Sequence, residues 1–409
     1  MRHSFVSFAL NLSFVLLAAQ AASAQHYSIT DLGTLVGDSA STGWGINNYG
    51  QVTGASAITP SSHFQHAFLY SNGEMTDLGT FPGGFTSVGY SITGGHGKAR
   101  RNGWEDDQWE ARTVQNVRIT GSASGGDLDH AFLYVDGAMQ DLGTLPNLQQ
   151  GVNSYSAGFS VNESGEVTGY SGVLYGVEHA FLYSNGVMSD LGTLPGGSVS
   201  GGYGINASGE VAGTSGVGGN SSRHAFLYSH GGMLDLGTLP GGTFSAAFAI
   251  NDLGEMAGSA DTADSGGLLH AFFYSHGRML DLGTLRNLPS SEARAMNRYG
   301  DVVGVASSGH YTDYHAFLYS AGVMKDLNDL IPKDSGWSLQ LALGINDRGQ
   351  ITGSGTVNNQ THAFLLTPVA FDKAEHKKKA GTTDMGPTRD WTRAKTRGWG
   401  AKAQLSLWE

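Results

Sequence analysis

The stretch HAFLYSNGEMTDLGTFPGG, residues 66–84, returns almost letter for letter as HAFLYSNGVMSDLGTLPGG at 179–197. The triplet His-Ala-Phe begins at His66, His130, His179, His224, His270, His315 and His362, in steps of 64, 49, 45, 46, 45 and 47 residues. Eleven residues after each of the first six stands the Asp of Asp-Leu-Gly or Asp-Leu-Asn: Asp77, Asp141, Asp190, Asp235, Asp281 and Asp326. The seventh copy, HAFLLTPVA, has none, whereas an unpaired YSITDLGTL near the N-terminus supplies Asp31.

Between these copies runs a second signature, INNYGQVTG from Ile46, with counterparts from Val161, Ile205, Ile250, Met296 and Ile345. Asn at its second position and Gly three residues later suit a tight turn closed by a residue with positive φ, so each copy reads as strand, turn, strand. HAFLY, a Gly-containing turn and MTDLGTF, or its counterparts ending in DLGTL, form a second hairpin. One period therefore holds four short strands, a (AFAIN), b (EMAGSA), c (HAFFYS) and d (RMLDLGTL). Four antiparallel strands per period of 40 to 50 residues is the pattern of a β-propeller blade. The expected fold is all-β, a seven-bladed β-propeller closed by the N-terminal strand, because the orphan strand around Asp31 completes the blade of His362. A β-solenoid is the alternative, but it gives no reason for complementary, incomplete ends.

These repeats resemble the His-Ala-Phe (HAF) family of bacterial "probable extracellular repeat" proteins, over about residues 27 to 367. The resemblance implies an exported repeat protein and brings no enzymatic activity, cofactor or catalytic residue with it.

Residues 1–24 read as a signal peptide, with Arg2 and His3 ahead of the apolar FALNLSFVLLAA and the small-residue site Ala22-Ser23-Ala24. The propeller is expected over 25–370. Later segments lack the apolar length of a membrane span. Secretion to the exterior, or to a periplasm, follows. With no cysteine, disulfides, thiolate metal sites and Cys nucleophiles are excluded. The formal net charge of −12 argues against nucleic acid as a partner. Residues 371–409 form a basic tail with nine Lys/Arg against five Asp/Glu, expected to be disordered.

A hairpin turning at Asn72-Gly73 places Phe68 opposite Asp77, so His66 and Asp77 become diagonal neighbours on one sheet face. The pairing His66 with Asp77, repeated through His362 with Asp31, reads as a buried imidazole satisfied by a carboxylate, a structural repeat pair. A ring of metal ligands is disfavoured because strand c stands roughly 10 Å further from the axis than strand a at about 4.8 Å per strand. Turns such as NESGE lack the alternating ligands of a calcium loop. The acids of ASGGDLDH and SADTADSGG offer a site for Ca²⁺ or sugar hydroxyls, with solvated acidic loops as the plainer reading. No catalytic fingerprint stands in the chain. Catalytic residues, cofactors and metals are therefore expected to be none, with Ca²⁺ the only ion considered.

Function is sought where the blades differ, because a repeated scaffold positions variable loops. The b-to-c loops vary in every copy, and they nominate His63, Phe64, Tyr175, Arg223, His310, Tyr311 and Tyr314 as a ligand face suited to a glycan or an extracellular protein segment. An irregular, charged, Trp-containing insertion occupies about 94–118. The sequence thus reads as an exported, monomeric, non-enzymatic binding or scaffolding module at the cell surface or in the extracellular matrix. The alternative is a propeller hydrolase or lyase acting on extracellular polysaccharide.

Overall fold

Every His-Ala-Phe copy forms the third strand of a four-stranded antiparallel sheet, and there are seven such sheets. The computed structural model describes residues 26–36, 40–58, 64–94, 116–125, 128–146, 154–174, 176–220, 222–263, 265–309 and 313–369. The fourth blade is representative, with strands Ser200–Ile205, Val211–Val217, Ser222–Ser229 and Gly232–Asp235 in consecutive meander order. The seventh departs from that order. Its strands Ser338–Ile345, Ile351–Val357 and Gln360–Pro368 are completed on the outside by Tyr27–Asp31 from the other end of the described chain. Asp31 faces Phe364 as Asp77 faces Phe68. The inner strands touch in a closed circle, Ser338–Ile345 against Ser41–Ile46, which makes a seven-bladed propeller and excludes the solenoid.

The core lies between blades. Phe226, Val211 and Ile205 of the fourth blade pack on Ala180, Leu191 and Leu194 of the third, and the Ala and Phe of all seven triplets are fully buried. The Phe ring requires Gly on the neighbouring b strand. Gly213 is the register partner of Phe226, and a Cβ there would stand 2.1 Å from the Gly201 carbonyl oxygen and 2.6 Å from the Phe226 ring.

Two-residue turns join strands c and d, as at Asn72 and Gly73 with φ of 54° and 87°, the left-handed pair that matches sheet twist. The d strand is shorter than the sequence suggests and stops at its Asp. The reason is local: Asp77 Oδ1 accepts the Gly79 N–H at 2.7 Å, and Gly79, at φ 72°, turns the chain off the sheet edge.

The insertion falls between Thr93 and Arg118, the end of strand a and the start of strand b in the second blade. Its residues 95–115, the signal segment 1–24 and the tail 371–409 lie outside the described residues. Among the described residues no helix is long and apolar enough to cross a membrane.

Candidate functional site

The inner strands carry the same irregularity. Register against strand b slips at Gly43/Gly45, Gly89/Ser91, Gly158/Ser160, Gly202/Gly204, Ala247/Ala249, Ala293/Ala295 and Ala342/Gly344. Each slip is a β-bulge that leaves one residue unpaired, and a bulge re-aims its side chain. The seven bulged residues are Trp44, Tyr90, Phe159, Tyr203, Phe248, Arg294 and Leu343, and all of them line one axial chamber of about 470 Å³. That size lies within the roughly 300–1,000 Å³ usual for small-molecule sites. Small residues on either side allow the close approach: a Cβ on Gly45 would meet the Tyr90 carbonyl and the Ser91 Cα of the next blade at 3.0 Å.

The belt is continuous over five blades. Ring centroids are 5.4 Å apart for Trp44 and Tyr90, 5.1 Å for Tyr90 and Phe159, 5.3 Å for Phe159 and Tyr203, and 5.2 Å for Tyr203 and Phe248. The Arg294 guanidinium lies 5.0 Å from the Phe248 centroid. Tilted aromatic pairs contribute about 0.5–1.5 kcal/mol each beyond their buried area, so the rings hold one another in place before any ligand arrives.

A second tier sits on blade three. Tyr170 packs on Phe159 at 5.4 Å and on Tyr155 at 6.1 Å, and the Tyr155 hydroxyl donates to Glu178 Oε1 at 2.7 Å. Burial, then the Glu178 carboxylate, pushes the phenols of Tyr155 and Tyr170 up to about 12. Burial also raises Tyr90, opposed by a hydrogen bond with Ser122 and assisted by Asp129. Tyr203 is raised by burial against the pull of Arg223, with Glu178 pushing up and Arg294 down. All four phenols are therefore neutral donors at physiological pH.

Below the belt a ring of Ile46, Ile92, Ile205, Ile250, Met296 and Ile345 is shared with a second, more polar cavity of about 500 Å³ at the a-to-b turns. There the asparagine of each INxxG turn organises the mouth. Asn206 Oδ1 accepts from the N–H groups of Ser208 and Glu210, and its Nδ2 donates to the Asn251 carbonyl of the next blade at 3.2 Å. Asn346 Nδ2 carries the same bond across the closure to the Asn47 carbonyl at 2.9 Å. These groups satisfy one another, so this mouth reads as architecture.

The His and Asp of each repeat meet. His66 with Asp77, His130 with Asp141, His179 with Asp190, His224 with Asp235, His270 with Asp281 and His362 with Asp31 approach at 2.8–3.0 Å through Nδ1, and His315 bonds Asp326 in the same way. The imidazoles are not buried as the sequence suggested. Their side chains keep 14–38 % of their surface exposed, because strand c is third from the axis and the pair sits at the blade's rim. Among the described residues no group of three or more His, Cys, Asp or Glu is placed to hold a metal ion.

Of the loop residues nominated by variability, His63, Tyr175, His310 and Tyr311 lie outside the described residues. Phe64 is 46 % exposed and stacks on the 61 % exposed Phe85 at 5.6 Å. Tyr314 opens the c strand of blade six opposite Ser307. Arg223 is the second residue of the c strand of blade four, and its charge opposes the burial that raises the Tyr203 phenol. Asp261 of SADTADSGG is not a solvated acid: its Oδ1 accepts from the N–H groups of Thr243 and Phe244 at 2.7 Å, which fastens the preceding d-to-a connection.

The belt itself escaped the sequence reading. Its signal is an aromatic residue three places before the Asn, flanked by Gly, Ala or Ser, in GWGIN, GFSVN, GYGIN and AFAIN.

No family model matches the chain, and no curated protein does. Among solved structures it is similar to TolB from Acinetobacter baumannii (13% identity, TM-score 0.38, over 61% of this chain and 63% of that one). It is also similar to a puromycin-hydrolyzing peptidase of Mycobacterium tuberculosis (11% identity, TM-score 0.47, over 84% and 51%) and to a gluconolactonase from Xanthomonas campestris (10% identity, TM-score 0.38, over 86% and 93%). The chain thus spans less than two thirds of the TolB and peptidase chains it matches. Likenesses this loose assign no activity to it.

Proposed function

We propose that this protein is an exported, non-enzymatic binding module of the His-Ala-Phe repeat kind, and that its ligand is a glycan held in the axial chamber. One observation carries the reading: five consecutive blades spend a β-bulge to aim an aromatic side chain into a shared cavity. Packing alone has no need of this, since an aromatic residue left partly exposed to open space contributes less burial than one placed between blades. Aromatic surfaces with neutral hydroxyl donors and carboxylate acceptors at one mouth match the mixed apolar and hydroxyl surface of a sugar. The b-to-c loops form the rim through which the ligand enters, and secretion places the module at the cell surface, in the matrix or in a periplasm.

The test is a glycan and peptide array probed with the secreted chain, wild type and Phe159→Ala. The wild type is expected to retain glycans, and Phe159→Ala to weaken them at least tenfold with its melting temperature close to wild type. Retention of peptides only, or equal glycan binding by the variant, would remove the reading. Turnover of a retained glycan would assign the polysaccharide hydrolase or lyase class instead.

A further inference from the structure

Blade six breaks the belt. At the bulge where five blades carry an aromatic ring, it carries Arg294, one of the chamber's lining residues. Resting on the chamber as a glycan site, we propose that this chamber selects a saccharide bearing a single carboxylate, with Arg294 as the residue that receives it.

The guanidinium is positioned from two sides. Phe248 supports it at 5.0 Å, and one Nη2 donates to Glu292 Oε2 at 2.9 Å. A guanidinium has five N–H donors in a planar fork, so this single bond leaves an edge able to form the paired contacts that carboxylates prefer. Holding the plane against an aromatic ring removes rotamer freedom in advance, which lowers the ordering cost of binding. A lysine or a further phenylalanine at this bulge would supply neither the fork nor the charge.

Cationic groups reach the chamber from blades four and six: Arg223 and Arg294 both act on the Tyr203 phenol of blade four, and Glu292 offsets Arg294 in part. Over blades two and three, Asp129 and Glu178 act on Tyr170. A monocarboxylate sugar fits with its carboxylate on the free edge of Arg294 and its hydroxyls toward the acids and phenols of blades two and three. The net charge of −12 repels a polyanionic strand at a distance, which narrows the ligand to one acidic residue at the chamber, terminal or free.

Calorimetry on the full secreted chain with matched pairs tests this: methyl glucuronide against methyl glucoside, methyl galacturonide against methyl galactoside, and the methyl glycoside of a sialic acid against its methyl ester. At least one acid is expected to bind tenfold or more tighter than its neutral partner. Arg294→Leu, which copies the side chain of Leu343, should erase that preference, so that acid and neutral partner bind alike; Arg294→Gln serves as the second variant if the first does not fold. Glu292→Gln should tighten the acid several-fold by removing the competing carboxylate, a gain that a merely structural Arg294 would not produce. Equal binding of acid and neutral partners, with Phe159→Ala still damaging both, overturns the carboxylate inference and leaves the glycan site standing. No binding by any pair overturns both.

Discussion

At the scale of single residues, the repeat is a set of satisfied polar groups. The Asp of Asp-Leu-Gly takes a hydrogen bond from the His Nδ1 and another from the Gly N–H two residues on, as Asp190 does from His179 and Gly192. The Gly carbonyl then accepts from the first Ser of the next blade, Gly192 from Ser200, and the same Ser oxygen accepts the Ala180 N–H at 2.8 Å. The one Asp-Leu-Asn explains itself against this scheme. Where the other inner strands place Ser, the seventh has Leu339, and Asn328 replaces the clamp by accepting the Leu339 N–H at 2.7 Å and donating to the Leu339 carbonyl at 3.0 Å. Asn328→Ala is therefore expected to cost about 2 kcal/mol, since it leaves two strand groups without partners; urea unfolding measures it.

The pair in blade three also makes a pH prediction. The Asp190 hydrogen bond raises the His179 imidazole above its ordinary 6.5, against the pull of burial, with the Asp190 charge and the Ser198 backbone assisting. Burial pushes the Asp190 carboxyl up, but His179 and the Gly192 N–H outweigh it and leave it below its ordinary 3.8. A raised imidazole contributes fully below its unfolded pKa and loses the contribution as pH rises through the folded one. A depressed carboxyl contributes above its unfolded pKa and loses it as pH falls through the folded value. The pair is thus at full strength between 3.8 and 6.5. An NMR titration should place the His179 midpoint above 6.5 and show it falling in Asp190→Asn.

At the scale of strands and blades, the Phe of each triplet and the Gly of the neighbouring strand are one device. Phe226→Ala is expected to cost about 3–5 kcal/mol, as large core truncations do. Gly213→Ala should be comparably severe because its Cβ would overlap the Gly201 carbonyl. Chemical denaturation of both variants checks this, and a change below 1 kcal/mol in either would contradict the packing. The blades, their hairpins and the His-Asp register were readable from the sequence because turns at Asn72-Gly73 and its counterparts fix pairing locally. The chamber was not. In GYGIN the aromatic residue looks like one more position of an alternating strand, and only the bulge at Gly202/Gly204 turns Tyr203 to the axis. Arg294 was harder still, since ARAMN resembles an exposed strand until its neighbours in the ring are known. Sequence variability pointed to the loops, and of the residues it nominated Arg223 acts on a chamber phenol, that of Tyr203.

At the scale of the whole molecule, the ring closes by pairing Tyr27–Asp31 with Gln360–Pro368. His362 reaches Asp31 at 2.9 Å, and the Tyr27 N–H donates to the Leu330 carbonyl at 2.9 Å. Asp31→Ala should cost about 1–2 kcal/mol, because it removes the hydrogen bonds from His362 and from the Gly33 N–H, both at a half-exposed carboxylate. Deleting residues 26–36 should do far more, since it uncovers the edge of a buried strand and the apolar cluster around Tyr27; loss of a single cooperative melting transition is the expected result. The ring in turn is what brings seven bulges to one chamber. The most direct test is the structure of the protein with the tightest-binding sugar of the matched pairs. The sugar ring should lie against Phe159, Tyr203 and Phe248 with its carboxylate on Arg294. A sugar seated at the asparagine mouth, or on the loops away from the belt, would contradict the account.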